Sequence, residues 1–209
     1  MNDQTPAARL RALLDGPDTV ALPGVFDALS ARLAEQAGFD AVFTSGFGIA
    51  ATTLGMPDMG MLTMAENVDR VDSLTSSIDV PLVADMDTGY GSALNVRRTM
   101  HECVDAGVAG VILEDQVWPK KCGHMNEKRV VDTDEHVRRI RAAADVRDER
   151  DSDFVIIGRT DAREPHDLDE AIERGHAYAN AGADVVFVEA PESRAELERV
   201  ADAFAVPTF

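Results

Sequence analysis

The segment from Lys120 to His124, which reads Lys-Lys-Cys-Gly-His, is the most chemically specific part of this sequence. The chain has three lysines, and two of them stand beside Cys122. Positively charged neighbours activate a thiol as a proton donor or a nucleophile. A structural cysteine more often lies in an apolar run, as Cys103 does within a helical pattern. We therefore predict that Cys122 is catalytic and that Cys103 is a packing residue.

Acidic residues follow two predicted strands. Asp85 and Asp87 end one buried strand, Glu114 ends the next, and Asp58 lies in an earlier loop. Asp85 and Asp87 could simply cap the following helix. Four carboxylates at one mouth would repel each other strongly without a cation, however, and Mg²⁺ or Mn²⁺ prefers oxygen ligands. We predict a metal site at Asp58, Asp85, Asp87 and Glu114.

Two further segments could bind an anionic substrate. Ser45–Gly48, which reads Ser-Gly-Phe-Gly, ends a strand, and its backbone N–H groups could hold a carboxylate or a phosphate. A structural turn explains it equally well. Arg159 ends another strand and could clamp a carboxylate. An internal salt bridge from Arg159 to Glu114 or Glu189 is the alternative, and both roles could hold at once.

Composition limits the class of protein. The chain has 209 residues, 45% of them hydrophobic, which predicts a single globular domain over residues 1–209. Thirty-eight acids face 20 bases, for a net charge of −18, so nucleic acid and anionic membranes are improbable partners. Acid excess with few lysines favours a protein from a high-salt organism over an ordinary acidic one. Two distant cysteines and no secretion or membrane signal predict a cytoplasmic location.

A repeated pattern indicates how these residues are positioned. An Ala-Gly pair followed by an apolar run occurs at 37–43, 106–112 and 181–187, as expected where a helix ends on glycine and a strand follows. Strands are predicted at Thr19–Leu22, Ala41–Ser45, Pro81–Asp85, Gly110–Glu114, Phe154–Arg159 and Val185–Glu189, with a seventh from Val206. Helices are predicted at Asp27–Ala37, Met64–Ser77, Ala93–Ala106, Asp134–Val146, Leu168–Ala181 and Arg194–Ala203.

Alternating strands and helices fit either a doubly wound sheet or a (β/α)₈ TIM barrel. No glycine-rich phosphate fingerprint follows the first strand, and polar residues gather at the carboxyl ends of many strands, so the barrel is favoured. The sequence reaches Phe209 within the seventh of eight strands. We therefore expect a barrel truncated there, with the C-terminal part absent. His101, His136, His166 and His176 show no metal-ligand spacing and are interpreted as surface or satisfied core residues.

These motifs together resemble the isocitrate lyase / phosphoenolpyruvate mutase superfamily, collinearly over nearly the whole chain. The matching segments are Ser45-Gly46, Pro57-Asp58, Asp85–Gly91, Glu114–Gln116, Lys120–His124, Arg159–Ala162 and Glu189-Ala190. The cysteine segment is typical of the lyase branch, closest to 2-methylisocitrate lyases and short isocitrate lyase-like proteins. The resemblance implies a (β/α)₈ barrel whose last helix swaps between subunits of a homotetramer.

The resemblance also implies roles for single residues. Asp85 would bind Mg²⁺ directly, and Asp58, Asp87 and Glu114 would reach it through water. The substrate, a di- or tricarboxylate, would lie against Ser45, Gly46, Phe47, Gly123, His124, Arg159 and Glu189.

The implied reaction is retro-aldol cleavage of isocitrate or 2-methylisocitrate. Cys122 would protonate the carbanion, His124 and Arg159 would assist at the substrate carboxylates, and Tyr90 is a candidate for handling the hydroxyl proton, though a packing role is equally open. The rivals are hydrolysis or decarboxylation of oxaloacetate, phosphonopyruvate chemistry, and a non-catalytic binder on a degenerate barrel.

Overall fold

Helices and strands alternate along the computed structural model, which describes residues 4–209. The elements are α1 (Pro6–Leu14), β1 (Gly24–Val25), α2 (Ala28–Gln36), β2 (Val42–Thr44), α3 (Gly46–Leu54), α4 (Met64–Thr75), β3 (Leu82–Asp85), α5 (Ala93–Asp105), β4 (Gly110–Glu114), α6 (Thr133–Arg150), β5 (Val155–Thr160), α7 (Leu168–Ala181), β6 (Val185–Val188) and α8 (Arg194–Ala203). Within the described range, none of the helices combines the length and the apolar character needed to cross a membrane.

The six strands form one parallel sheet whose spatial order is the same as their order in the sequence. A doubly wound sheet reverses its strand order at the first strand, so that alternative is excluded. Sequential parallel strands with intervening helices are the arrangement of a (β/α) barrel, as predicted. The sheet is not closed among the described residues. Beyond β6, Thr208 makes an isolated parallel bridge to Val186, where the seventh strand was predicted.

Each strand separates two cores. Ile112 belongs to the cluster that fills the inside of the sheet, whereas Leu113 packs in the larger cluster beneath the helices. Side chains alternate between the two faces of a strand, so Glu114 follows Ile112 inward and Asp115 follows Leu113 outward. By the same alternation Arg159, at the end of β5, faces inward. This period of two decides which acids reach the mouth of the barrel.

The predicted first strand, Thr19–Leu22, is wrong. The strand paired with β2 is Gly24–Val25, and Val20 and Leu22 pack instead into the inner cluster beside α1, a helix that sequence patterns did not reveal. Pro23 explains the shift, because it lacks an N–H group and contributes only a carbonyl, which accepts a hydrogen bond from β2. A short apolar run preceding a proline was mistaken for the strand itself.

The glycine predicted to end each repeated helix is confirmed. Gly38, Gly107 and Gly182 have φ values of 90°, 73° and 113°, a left-handed region that other residues rarely adopt. Other boundaries shift by a few residues, and the largest change is in α6, which continues to Arg150 rather than ending at Val146. The last turn reads Arg-Asp-Glu-Arg, which is polar enough to resemble a loop in sequence, but it remains helical.

Cys103 is a packing residue, as predicted, with no exposed surface, and burial raises the pKa of its thiol to about 12. His136 departs from the prediction for the remaining histidines. It is completely buried, its ring lies edge-on to Tyr178 at 4.5 Å, and neither ring nitrogen has a hydrogen-bond partner among the described residues. The helix α6 therefore carries a core histidine that is not satisfied.

Replacing His136 with Phe should flatten the pH dependence of stability. Burial, with repulsion from Arg139, lowers the pKa of His136 to about 3, whereas in the unfolded chain it titrates near 6.5. The stability gained by keeping the ring neutral is present above pH 6.5 and is lost as the pH falls toward 3, by at most about 1.4 kcal/mol per pH unit. Urea unfolding between pH 7.5 and 4.5 measures the slope. His166→Phe, at an exposed position, is the control, and equal slopes for all three proteins would contradict the assignment.

Candidate active site

A cleft of about 420 Å³ opens at the carboxyl ends of the strands, where barrel enzymes place their sites. It brings together ten residues that were predicted from sequence: Ser45, Gly46, Phe47, Asp58, Asp85, Cys122, Gly123, His124, Arg159 and Glu189. Three other predicted residues, Asp87, Tyr90 and Glu114, do not line the cleft and lie behind it. Their roles stay predictions, as do those of the ten.

Lys120 lies among the acids that were predicted to bind metal. Its Nζ is 2.6 Å from Asp58 Oδ1 and 2.7 Å from Asp87 Oδ1, and its side chain is only 3% exposed. The sequence interpretation gave Lys120 a different task, the activation of Cys122. Lys121, the second lysine assigned to that task, is bound to the carbonyl of Asn126 and lies 3.5 Å from Glu127. Both ammonium groups thus have partners other than the thiol.

One ammonium group does not neutralise this cluster. Burial raises the pKa of Asp87 to about 6, and Asp85 and Asp58 add to the increase although Lys120 opposes it. Burial likewise raises the pKa of Glu114, one of whose carboxylate oxygens has no hydrogen-bond partner. Burial alone would lower the pKa of Lys120, but the surrounding carboxylates raise it. The cluster retains an excess of negative charge.

Asp85 is fixed by neighbours that sequence reasoning missed. Its backbone N–H donates to Thr44 Oγ1 at 2.7 Å, and its carbonyl accepts from Asn67 Nδ2 at 2.9 Å. Both residues are buried, which is unusual for polar side chains unless they are hydrogen-bonded. Thr44 ends β2 beside Asp85, a position that the parallel pairing of these strands would have revealed.

The glycine-rich segment that follows β2 begins a helix and is not an isolated turn. Ser45 caps α3, and its Oγ accepts a hydrogen bond from the N–H of Gly48 at 3.1 Å. The amide groups of Gly46 and Phe47 lie in the first turn, where backbone N–H groups have no partner within the helix. A side chain at Gly46 would bring its Cβ to 2.9 Å from Asp85 Oδ2, so glycine is needed there. This helix end offers N–H donors to an anion in the cleft.

Arg159 makes the internal salt bridges that were weighed against substrate binding. Its Nε is 2.9 Å from Asp161 and 3.5 Å from Glu114, and its Nη2 is 3.2 Å from Glu189. Burial opposes its charge, but these carboxylates raise its pKa further. The guanidinium group also lies 5.2 Å from the centre of the Phe187 ring. Arg159 is therefore held rigidly at the wall of the cleft.

Asp115, the residue after Glu114, does not reach the mouth of the barrel. It lies on the outer face of β4 and accepts hydrogen bonds from Tyr178 Oη at 2.7 Å, Thr160 Oγ1 at 2.8 Å and Arg174 Nη1 at 3.2 Å. It also accepts from the N–H of Asp161 at 2.9 Å. Asp115 thus supports the end of β5 from behind, and the alternation of strand side chains would have predicted this.

The loop between β4 and α6 carries Cys122 over the cleft. Its two ends are joined by a bridge between Gln116 and Val130. The Gln116 side chain bonds both the N–H and the carbonyl of Lys121, and the N–H of Cys122 donates to the Asp58 carbonyl at 3.0 Å. These bonds fix the backbone on the N-terminal side of the half-buried thiol.

Tyr90 lies beside Asp87 and does not line the cleft. Its Oη accepts from Asn67 Nδ2 at 2.9 Å, and its ring is 5.8 Å from that of Trp118. Burial and the nearby charge of Asp87 raise its pKa well above the ordinary value. Asp87 and Tyr90 both have positive φ, 51° and 62°, a conformation that is uncommon for non-glycine residues and is enriched at functional sites.

The residues fit Mg²⁺ held by one carboxylate and by water better than an enclosed metal site. In residues 4–209, no three His, Cys, Asp or Glu side chains stand close enough together to enclose an ion. Asp85 is nevertheless partly exposed to the cleft, and the unpartnered oxygen of Glu114 and the excess negative charge nearby remain to be compensated.

Fold and site together define a (β/α)-barrel protein with an acidic cleft whose wall also carries Arg159 and the N-terminus of α3. Residues 10–209 match the family model described as phosphoenolpyruvate phosphomutase. The chain belongs to the phosphoenolpyruvate mutase/isocitrate lyase superfamily, which confirms the resemblance seen in the motifs.

Among the relatives is the 2,3-dimethylmalate lyase of Eubacterium barkeri, 48% identical over 93% of this chain and 66% of that protein. The 2-methylisocitrate lyase of Escherichia coli strain K12 is 42% identical over 99% of this chain and 70% of that protein. The chain spans 60–66% of the first curated relatives it matches.

Solved structures agree with the fold. An oxaloacetate acetylhydrolase in complex with 3,3-difluorooxalacetate has a TM-score of 0.95 at 40% identity, covering 98% of this chain and 70% of that one. A phosphonopyruvate hydrolase in complex with oxalate and Mg²⁺ has a TM-score of 0.88 at 32% identity, covering 98% of this chain and 71% of that one.

Lys120→Met should destabilise the metal-free protein far more than Lys121→Met. Removing Lys120 leaves Asp58 and Asp87 buried without their counter-charge, which costs about 3–5 kcal/mol for a broken buried pair. Lys121 is bound to exposed partners, so its loss should cost less than about 1 kcal/mol. Urea unfolding in the presence of EDTA measures both. Equal losses would show that the ammonium group of Lys120 does not hold the acids together.

Proposed function

We propose that this chain forms the catalytic barrel of a Mg²⁺-dependent lyase that cleaves a carbon–carbon bond in a 2-hydroxy di- or tricarboxylate, with 2-methylisocitrate or isocitrate as the leading substrates. The products would be pyruvate or glyoxylate, together with succinate. The observation that supports this most directly is that Cys122, Arg159 and the open end of α3 line the same cleft as Asp85. A proton donor, anion-binding groups and a free carboxylate for a metal are the parts that such a reaction requires.

The chain's own residues account for substrate binding. The N–H groups of Gly46 and Phe47 and the guanidinium group of Arg159 are donors on different walls of the cleft, so they can hold two carboxylates of one molecule. His124, on the exposed rim, can contact the same end of the substrate as Arg159. Phe47 and Phe187 add apolar surface beside these donors.

The proton transfers follow from the bond changes. A base takes the proton of the substrate hydroxyl, the C–O bond becomes a carbonyl, and the neighbouring C–C bond breaks. Its electron pair remains on the carbon next to a carboxylate, and the thiol of Cys122 gives its proton to that carbon. Tyr90 stays a candidate for the hydroxyl proton only through an intermediary, because it does not line the cleft and burial raises its pKa.

The proposed reaction includes a metal ion at the acidic cluster. Asp85 would hold Mg²⁺, and Asp58, Asp87 and Glu114 would hold its waters. When bound, the ion supplies Lewis-acid polarisation of the hydroxyl and carboxylate oxygens. The excess of buried negative charge around Lys120 supports this assignment, and so does the relative that contains oxalate and Mg²⁺.

Cleavage of oxaloacetate is the second candidate. The same acidic cluster would serve it, and one of the similar structures is an oxaloacetate acetylhydrolase. Hydrolysis or decarboxylation of oxaloacetate also leaves a carbanion or enolate that must be protonated, so Cys122 would serve as the acid in either reaction, and the substrate assay separates the two candidates. Phosphonopyruvate chemistry is disfavoured by the cysteine in the loop.

Cys122→Ser should lower kcat by about 10²–10⁴-fold, the usual effect of losing a general acid. Isocitrate, 2-methylisocitrate, 2,3-dimethylmalate and oxaloacetate should be assayed side by side with Mg²⁺ in high salt, and cleavage of a hydroxy acid is expected. Cys103→Ala, which removes a core thiol outside the cleft, is the control. A Cys122→Ser enzyme with the wild-type rate would exclude the acid role, and turnover of oxaloacetate alone would favour the second candidate.

Chelation should abolish turnover reversibly. EDTA is expected to remove activity without unfolding the protein, and Mg²⁺ or Mn²⁺ should restore it, because both prefer oxygen ligands. Whether Ca²⁺ restores activity tests the geometry of the metal site, since Ca²⁺ takes more ligands at longer distances than Mg²⁺ does. Full activity after exhaustive chelation and dialysis would rule out a metal in the reaction.

A further inference from the structure

Lys128 is the third lysine of the chain, and it is buried behind the cleft. Its side chain is 1% exposed, and its Nζ donates to the Gly123 carbonyl at 2.7 Å and to Asp161 Oδ1 at 3.1 Å. A buried ammonium group is expensive unless it is paired, so this contact is specific. Lys128 lies within the loop that carries Cys122, and its side chain contacts the backbone of Gly123, which is five residues earlier in the chain.

The second partner of Lys128 is the carboxylate that also holds Arg159. Asp161 accepts from Arg159 Nε at 2.9 Å and from Nη2 at 3.0 Å. Burial opposes the charge of Asp161, but Arg159 and Lys128 lower its pKa. One carboxylate therefore joins a cation that faces the cleft to a cation that holds the loop.

Gly123 is confined from both sides. Its carbonyl is bound by Lys128, and an added Cβ would lie 2.6 Å from the Glu189 carboxyl carbon and also against Arg159. The backbone of Gly123 thus packs directly on the side chains of Arg159 and Glu189. Its two chain neighbours are Cys122 and His124, so the place of Gly123 determines where both side chains point.

We infer that Lys128 is a positioning residue: by holding the Gly123 carbonyl against Asp161, it sets Cys122 and His124 in register with Arg159. The catalytic part of this inference rests on the function proposed above. The stem of the loop does not need Lys128. The bridge between Gln116 and Val130 closes it, and the backbone N–H groups of Glu127 and Lys128 are bound by Glu164.

The test compares Lys128→Met with Lys121→Met, which removes a lysine of the same loop whose side chain is 28% exposed. Misplacement of a catalytic group by about 1 Å costs on the order of 10²-fold in rate, so kcat should fall about that much in Lys128→Met. KM should change little, because Asp161 still holds Arg159 through two bonds. Lys128→Arg keeps a charge and should recover part of kcat.

A second readout does not depend on the substrate. Alkylation of Cys122 by iodoacetamide, followed by mass spectrometry of its peptide, should be several-fold faster in Lys128→Met and unchanged in Lys121→Met. If the wild-type protein cleaves none of the substrates assayed, the proposed function fails, while the alkylation rates still decide the positioning role.

Thermal unfolding of every variant identifies losses of kcat that are due only to misfolding. Wild-type kcat and alkylation in Lys128→Met, or a loss that merely follows the unfolded fraction, would overturn the inference. If Lys128→Met does not fold, Lys128→Gln, which keeps a polar end but loses the charge, takes its place. A folded Lys128→Gln protein with wild-type behaviour in both assays would then overturn the inference as well.

Discussion

The burial of carboxylates around one cleft is the constraint on which the rest of this structure depends. Asp87, Glu114, Asp161 and Glu189 are almost fully buried, and removing such groups from water costs several kcal/mol each unless cations or hydrogen bonds compensate. Arg159 provides one cation from the end of β5, and the other two come from the loop between β4 and α6. That loop must fold back over the strand ends, because the acids there would otherwise be unpaired.

The same constraint explains the distribution of lysine. All three lysines lie in this loop, whereas the 17 arginines are spread along the chain. A compact ammonium group can lie between Asp58 and Asp87 with contacts of 2.6 and 2.7 Å, which the planar fork of a guanidinium group does not fit. In a chain that otherwise uses arginine for positive charge, lysine occurs where geometry demands a point charge.

Sequence reasoning could assign these residues to one cleft because the topology of a barrel brings strand ends together. Residues at the ends of β2 to β6, such as Asp85 and Arg159, could be assigned to one mouth without knowing a single distance. The alternation of side chains would also have separated Glu114 from Asp115. The partners of Lys120 and Lys128 could not be predicted, because they depend on how an irregular loop folds back, and no periodicity encodes that. The missed helix α3 shows the same limit, since two glycines in its first turn resemble a loop.

The charge balance of the cleft supports the proposed metal, because Lys120 alone does not neutralise the acidic cluster in which it lies. Six carboxylates line the cleft or lie directly behind it, at Asp58, Asp85, Asp87, Glu114, Asp161 and Glu189, against three cations at Lys120, Lys128 and Arg159. Protonation of Glu114, whose pKa burial raises, relieves only part of this difference of three. A polycarboxylate substrate would add further negative charge to a cleft that already repels it. A divalent cation at the partly exposed Asp85, as proposed, would compensate both. Lys120 is already bound to Asp58 and Asp87 and cannot turn toward the substrate without leaving them unpaired.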